Sequence, residues 1–169
     1  PRSIRQTGEV ADGIIPIHWP KGLFGQLRQD LLDGARAAGR SDPDITIAAQ
    51  TRVAVLDGRN DEEQWRAARQ PLFHYVNRMG KFYWQMLERN GFAEEVAASR
   101  TAWEQRDAEG ALNAVSDDMV RAVQVIGTLE EVRAQLQERS DLGADLQMLQ
   151  MPPGDPADAR RWLEDIIGR

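Results

Sequence analysis

Cysteine is absent from this 169-residue chain, which removes disulfides, thiolate metal sites and cysteine nucleophiles together and agrees with a reducing compartment. Histidine occurs only at positions 18 and 74, on separate elements, so no spaced set of zinc ligands is available. Lysine is nearly as scarce, with Lys21 and Lys81 alone, and the formal charge is -6 with a pI near 5.0. With no arginine-rich face evident, that balance argues against nonspecific nucleic-acid binding. No signal peptide, transit peptide or apolar run of membrane length can be read, so a soluble cytoplasmic protein without a membrane partner is expected. A Gly-x-Ser-x-Gly elbow, a phosphate loop of the nucleotide-triphosphatase kind and a Gly-x-Gly-x-x-Gly fingerprint are all missing.

What the chain does have is a repeated strand-and-helix grammar. Thr7-Gly8-Glu9-Val10-Ala11-Asp12-Gly13 followed by Ile14-Ile15-Pro16-Ile17 reads as a helix end, a tight turn and a buried parallel strand. Downstream, residues 128–138 make a helix, Leu142-Gly143-Ala144-Asp145 ends it, and residues 146–151 form an apolar strand. In both, a helix stops at a glycine able to take positive φ, and an Ala-Asp pair leads into the sheet. Gly13 is likewise expected to need positive φ in its turn.

Between these units, Leu23, Leu27, Leu31 and Ala35 recur at helical spacing until Gly39, and Asp42-Pro43-Asp44 turns the chain. Residues 45–56 carry enough β-branched and apolar side chains for a longer strand. Asn60 with Glu63 has capping-box spacing, and Trp65, Ala68, Leu72, Tyr75, Val76 and Met79 define one helical face. From Lys81 to about residue 122 the pattern stays helical, with breaks at Gly91 and Gly110 and an N-cap at Ser116. A short strand at 123–126 precedes a Thr128–Glu131 capping box, with Leu129, Val132 and Leu136 facing the core. After residue 151, Pro152-Pro153-Gly154 turns the chain, Asp155 caps a helix that starts at Pro156, and Trp162, Ile166 and Ile167 pack it.

Gly8-Glu9-Val10-Ala11-Asp12-Gly13 and Gly127-Thr128-Leu129-Glu130-Glu131-Val132 resemble two motifs of the luciferase-like monooxygenase and F420-dependent oxidoreductase family. In that family the first leads into the fifth strand of a (β/α)8 barrel and the second follows the seventh. Residues 90–96 and 115–120 are similar to the family's sixth-loop helices. The resemblance implies an α/β fold, the C-terminal half of a TIM-type barrel spanning residues 1–169 as roughly strands five to eight, with a helical insertion after the second strand at about 81–122. A closed barrel needs about 250 residues, and this chain starts at Pro1 without an initiator Met, so further chain upstream is expected. A native half-barrel with open strand edges is the alternative, and it would pair with itself or a partner.

The implied activity is hydride transfer between a reduced flavin or deazaflavin, FMN or F420, and a small organic substrate, with oxygen consumed in the monooxygenase branch. A non-catalytic half-barrel is the competing reading, and a helical interaction module with incidental strands is a third. Ligand groups in a parallel barrel gather at the C-terminal strand ends, which nominates loops 18–22, 57–60, 127–128 and 151–154. His18 could donate a hydrogen bond or proton, Trp19 could wall a ring and Lys21 could hold an anionic group. They could equally cap the barrel mouth and face solvent. Pro1 and Arg2 resemble the downstream edge of the family's cofactor-phosphate element, where a helix start offers free N–H groups; an ordinary helix start fits the same residues. Glu9 and Asp12 lie at the helix-to-strand turn and are read as structural. Capping explains Gly127-Thr128 without a ligand, and the aromatics Phe73, Tyr75, Phe82, Tyr83 and Trp84 are read as core or subunit contact ahead of a flavin pocket. Catalytic residues are expected upstream, and no metal site is expected.

Overall fold

Alternating apolar residues from Ile45 onward build a ten-residue strand, β2 (Thr46–Val55), on which the whole sheet is organised. The computed structural model describes residues 2–41, 44–151 and 155–168. Ile47, Ala49, Thr51 and Val53 are buried on one face, while Thr46, Ala48, Gln50 and Arg52 are half-buried on the other. β1 (Gly13–Ile14) pairs in parallel with Thr46 and Ile47, and a bridge from Ile17 to Gln50 extends the contact. β3 (Val125–Gly127) pairs with Val53 to Val55, and β4 (Leu146–Gln150) pairs with residues 48–52, both in parallel. Consecutive barrel strands would put β3 between β2 and β4. Instead β4 lies directly against the middle of β2, because the three residues of β3 engage only its last three positions.

The helices divide into two groups. α1 (Arg2–Val10), α2 (Phe24–Ala37), α8 (Leu129–Asp141) and α9 (Pro156–Ile167) accompany the strands, and α2 follows a tight turn at Lys21–Leu23. Between β2 and β3 come α3 (Asp61–Asn77), α4 (Lys81–Leu87), α5 (Ala93–Glu104), α6 (Ala108–Asn113) and α7 (Asp117–Val123). Phe24, Leu27, Leu31 and Ala35 of α2 pack with Ile45, Ile47 and Ala49, so Phe24 takes the place expected of Leu23. Val53, Val55, Val125, Val132 and Ile166 form a second cluster. A third, from α3 to α7, meets the sheet through Ala54 and Ile126. Each fully buried Leu or Ile in these clusters contributes roughly 1.5–3 kcal/mol relative to exposure. Ile167, expected inside, is 58% exposed because Ile166 takes the inward position one residue earlier.

Local signals explain most element ends. Thr128 and Glu131 form the reciprocal box at α8, with the Glu131 carboxylate accepting from the Thr128 N–H at 2.8 Å. Ser116 and Asp155 cap α7 and α9 as read. Asn60 stands at the N-cap of α3 but its side chain makes no capping bond; Asp61 accepts the N–H groups of Asp57 and Gly58 at 3.2 and 3.0 Å and holds that loop. Gly91 breaks the chain between α4 and α5 with φ 96°. Gly110, expected as a break, lies inside α6, where its N–H is taken by the cap residue Asp107. The turn residues Asp42, Pro43, Pro152, Pro153 and Gly154 lie outside the described residues.

The first unit of the repeat is built differently from the second. Gly143 does leave α8 with φ 117°. Gly8, by contrast, is an interior residue of α1, which runs on to Val10, and its missing side chain lets the backbone of α2 approach. A Cβ at Gly8 would be driven into the Leu31 carbonyl oxygen, and one at Gly34 of α2 into the Arg5 carbonyl oxygen. Arg40 then closes the end of α1, donating to the Gly8 and Ala11 carbonyls at 2.7 Å and pairing with Asp12 at 3.0 Å. Asp12 is therefore structural, and Asp145 is its counterpart, accepting from Arg28 at 2.6 Å and from the Ile47 N–H at 2.7 Å. Burial works against the Asp145 charge, but those donors outweigh it and hold the carboxyl below its usual range.

Gly13 also departs from expectation. It is not among the residues of positive φ, and sits in β1 with the Thr46 carbonyl oxygen 2.5 Å from where a Cβ would stand. The demand is for closeness to β2, so even Gly13→Ala is expected to destabilise, by about 1–3 kcal/mol. Chemical denaturation checks this, and an unchanged midpoint in Gly13→Ala would show that β1 can shift freely.

Candidate functional site

The chain leaves β1 through His18, whose backbone takes φ 50°, a conformation uncommon outside glycine. His18 is 4% exposed, and its ring stands edge-on to Tyr75 of α3 at 4.6 Å. Tyr75 in turn meets Tyr83 of α4 edge-on at 4.4 Å, so three rings run from the end of β1 into the helical layer. The His18 Nε2 is buried with no hydrogen-bond partner among the described residues. Burial, reinforced by the Arg52 charge, lowers its pKa from 6.5 to about 4, so the imidazole is neutral at physiological pH. Burial, with a smaller contribution from Tyr75, moves the Tyr83 phenol upward.

The other expected site residues diverge from His18. Trp19 packs against the α2 cluster, and its Nε1 is buried without a partner among the described residues. Lys21 is tied to α8, with Nζ 2.6 Å from the Glu138 carboxylate. Arg2 is exposed at the start of α1, and Pro1 lies outside the described residues. Three consecutive-looking candidates thus meet three different neighbours. Thr128 spends its hydroxyl and its N–H on the α8 cap, which leaves neither for an anion. Glu9 is exposed near the end of α1.

A residue not anticipated is Arg52. It stands on the open face of β2 two positions beyond Gln50, which the Ile17 bridge places beside the end of β1. Its Nε is buried without a partner among the described residues. The signal was present in the sequence as the only charged residue within an alternating apolar strand.

Two of the nominated loops do come together. The ends of β2 and β4 and the start of α9 enclose a cavity of about 330 Å³ lined by Asp57, Arg59, Gln64, Asp158, Arg161 and Trp162 among others. Asp57 pairs with Arg59 at 2.5 Å, and Arg161 with Asp158 at 3.1 Å. The Arg59 hydrogen bond holds the Asp57 carboxyl below its usual range. Asp155, spent on the α9 cap, adds a third carboxylate to these two pairs, so the cavity offers hydrogen-bonding groups, a slight excess of negative charge and one indole wall. Trp162 had been read only as packing, and the charged residues around it were missed because α9 joins the site through tertiary contact.

Among the described residues no group of three or more His, Cys, Asp or Glu side chains is placed to hold a metal, and no helix is long and apolar enough to cross a membrane. The comparisons agree with this architecture. The F420-dependent tetrahydromethanopterin reductase of Methanopyrus kandleri superposes on 98% of the chain with a TM-score of 0.71 at 22% identity, over 46% of its own length. An F420-dependent secondary alcohol dehydrogenase, solved with an F420–acetone adduct, covers 99% with a TM-score of 0.65 at 15% identity, again over 46% of its length. A Mycobacterium tuberculosis protein named as a proposed coenzyme F420-dependent oxidoreductase is 23% identical over 142 residues, 80% of this chain and 40% of that protein. The chain therefore spans less than half the length of these relatives. Residues 1–146 match the family model for luciferase-like monooxygenases, and with that match covering most of its length, the chain belongs to the luciferase-like monooxygenase family.

Proposed function

We propose that this chain is part of an F420-dependent oxidoreductase that transfers hydride between the reduced cofactor and a small organic substrate. The carrying observation is that the three relatives above, matched by sequence or by fold, are all named for coenzyme F420. The donor set fits a ligand of that class. Tyr75, beside His18, offers aromatic surface to a ring system, and the Arg52 guanidinium on the open face of β2 offers donors for its oxygens, whereas Trp19 would have to turn out of the α2 cluster to join them. F420, when bound, would supply the hydride chemistry. The chain's own part is to bind, orient and exclude water. Neutral His18 can hold a hydrogen bond to a carbonyl without adding charge. Lys21 can reach an anion only by leaving Glu138, and Arg2 would border a phosphate at the start of α1.

The open sheet face supports a barrel completed by other chain. Parallel sheets are ordinarily covered on both faces, yet here Ile15, Leu146 and Met148 are 61%, 59% and 46% exposed on the side away from α2 and α8. A complementary half-barrel, or a second copy of this one, would cover them.

The test is titration of F420 and FMN separately into protein expressed from the complete reading frame, followed by fluorescence anisotropy. Saturable binding of F420 with little or none of FMN is expected. Preference for FMN would move the protein to the flavin branch, and failure to bind either would sink the oxidoreductase reading.

A further inference from the structure

The half-buried arginines of this protein follow a rule with one exception. Arg28 is paired with Asp145 at 2.6 Å, Arg40 with Asp12 at 3.0 Å and Arg69 with Asp117 at 2.5 Å. Where no carboxylate is at hand, an aromatic ring takes its place, as Trp84 does for Arg100 at 4.8 Å and Phe24 for buried Arg139 at 5.2 Å, although Arg139 Nε and Nη1 lack hydrogen-bond partners among the described residues. These are the two usual ways to compensate a guanidinium withdrawn from water. Arg52 has neither among the described residues.

Its surroundings sharpen the exception. Gln150 lies directly across the ladder in β4, and Gln64 and Gln124 share a small cavity of about 40 Å³ with it. All are uncharged amides. Gln64 Oε1 has no partner among the described residues, and a single water between it and Arg52 Nε would satisfy both atoms without neutralising the charge. The positive charge is thus held among neutral groups, at the C-terminal part of the sheet and beside the end of β1.

We propose that Arg52 is the anion-holding residue of this site, receiving a carboxylate or phosphate oxygen of the bound ligand on the open face of β2. The planar guanidinium suits bidentate contact with either group. Nothing in this requires the ligand to be F420, so the inference goes beyond the cofactor assignment.

Inorganic phosphate is the probe, titrated into the full-length protein at constant ionic strength while the unfolding temperature is followed against chloride. Wild type is expected to be stabilised saturably, Arg52→Gln to bind phosphate about tenfold or more weakly, and Arg52→Lys to retain part of the effect. Arg52→Lys, which keeps the charge, separates loss of the anion from loss of the fold, as does the unfolding temperature of each variant in chloride. Equal phosphate stabilisation of wild type and Arg52→Gln would overturn the proposal, and so would its absence from wild type. Repeating the titration with F420 present assigns the anion. Competition places it on the cofactor, and additive binding places it on the substrate. Phosphate binding that depends on Arg52 in a protein that ignores F420 would leave this inference standing while removing the cofactor assignment.

Discussion

Gly34→Ala is expected to destabilise the protein by about 3 kcal/mol or more, because the new methyl would meet backbone and no flexible side chain can yield. Gly8→Ala should cost a similar amount for the same reason, since the Leu31 carbonyl stands where its Cβ would go. Both glycines serve one helix crossing, so a single outward shift of α1 relieves both clashes. The double variant should therefore lose much less than the sum of the singles. Urea denaturation of the four proteins in this cycle checks the claim; simple additivity would show that the two contacts are independent. Because Arg40 fastens the end of α1 by its carbonyls, the displaced helix should also weaken the turn into β1.

His18 should make the fold acid-sensitive. Its pKa is about 4 when folded against 6.5 for an ordinary histidine, so the unfolded chain binds a proton that the folded chain resists. Stability from this source is complete above pH 6.5 and is lost progressively as the pH falls toward 4, by about 3 kcal/mol in total. His18→Asn removes the titrating group while keeping a residue that tolerates the left-handed backbone. The difference in denaturation midpoint between wild type and His18→Asn should narrow or reverse between pH 7 and pH 4, since the carboxylates are common to both. Parallel pH profiles for the two proteins would show that His18 is protonated at little cost, and hence reached by water.

Much of the local signal was displayed by the sequence, with the Asn60 cap, the Gly110 break and the Gly13 turn as exceptions. The long strand at β2, the Thr128–Glu131 box, the caps at Ser116 and Asp155 and the proline start of α9 each depend on residues within a turn of one another. The family was visible for the same reason, in two short motifs at helix and strand ends. What escaped depends on distant partners. Gly8 looks like a helix terminator until Gly34 is known to cross it, and Lys21 looks like a free cation until Glu138, 117 residues away, is placed beside it. His18 was chosen for its position at a strand end, but its neutrality follows from burial under α3, which no spacing reveals. Arg52 was passed over because strand periodicity was read for its apolar members, and the exception on the other face carried the information.

The dependence of the sheet on β2 also sets an order of events in folding. Pairing β2 with β4 closes a gap of 98 residues, measured at the Ile47–Asp145 contact, whereas α3 to α7 make most of their contacts within one contiguous stretch. Closing the longer loop carries the greater entropy loss and waits on chance encounter. Refolding followed by circular dichroism should thus recover the helical signal before Trp162 and its neighbours acquire their final environment. Until then the edge of the central strand that receives β3 and β4 is unsatisfied, and that interval is when two chains are best able to join one another.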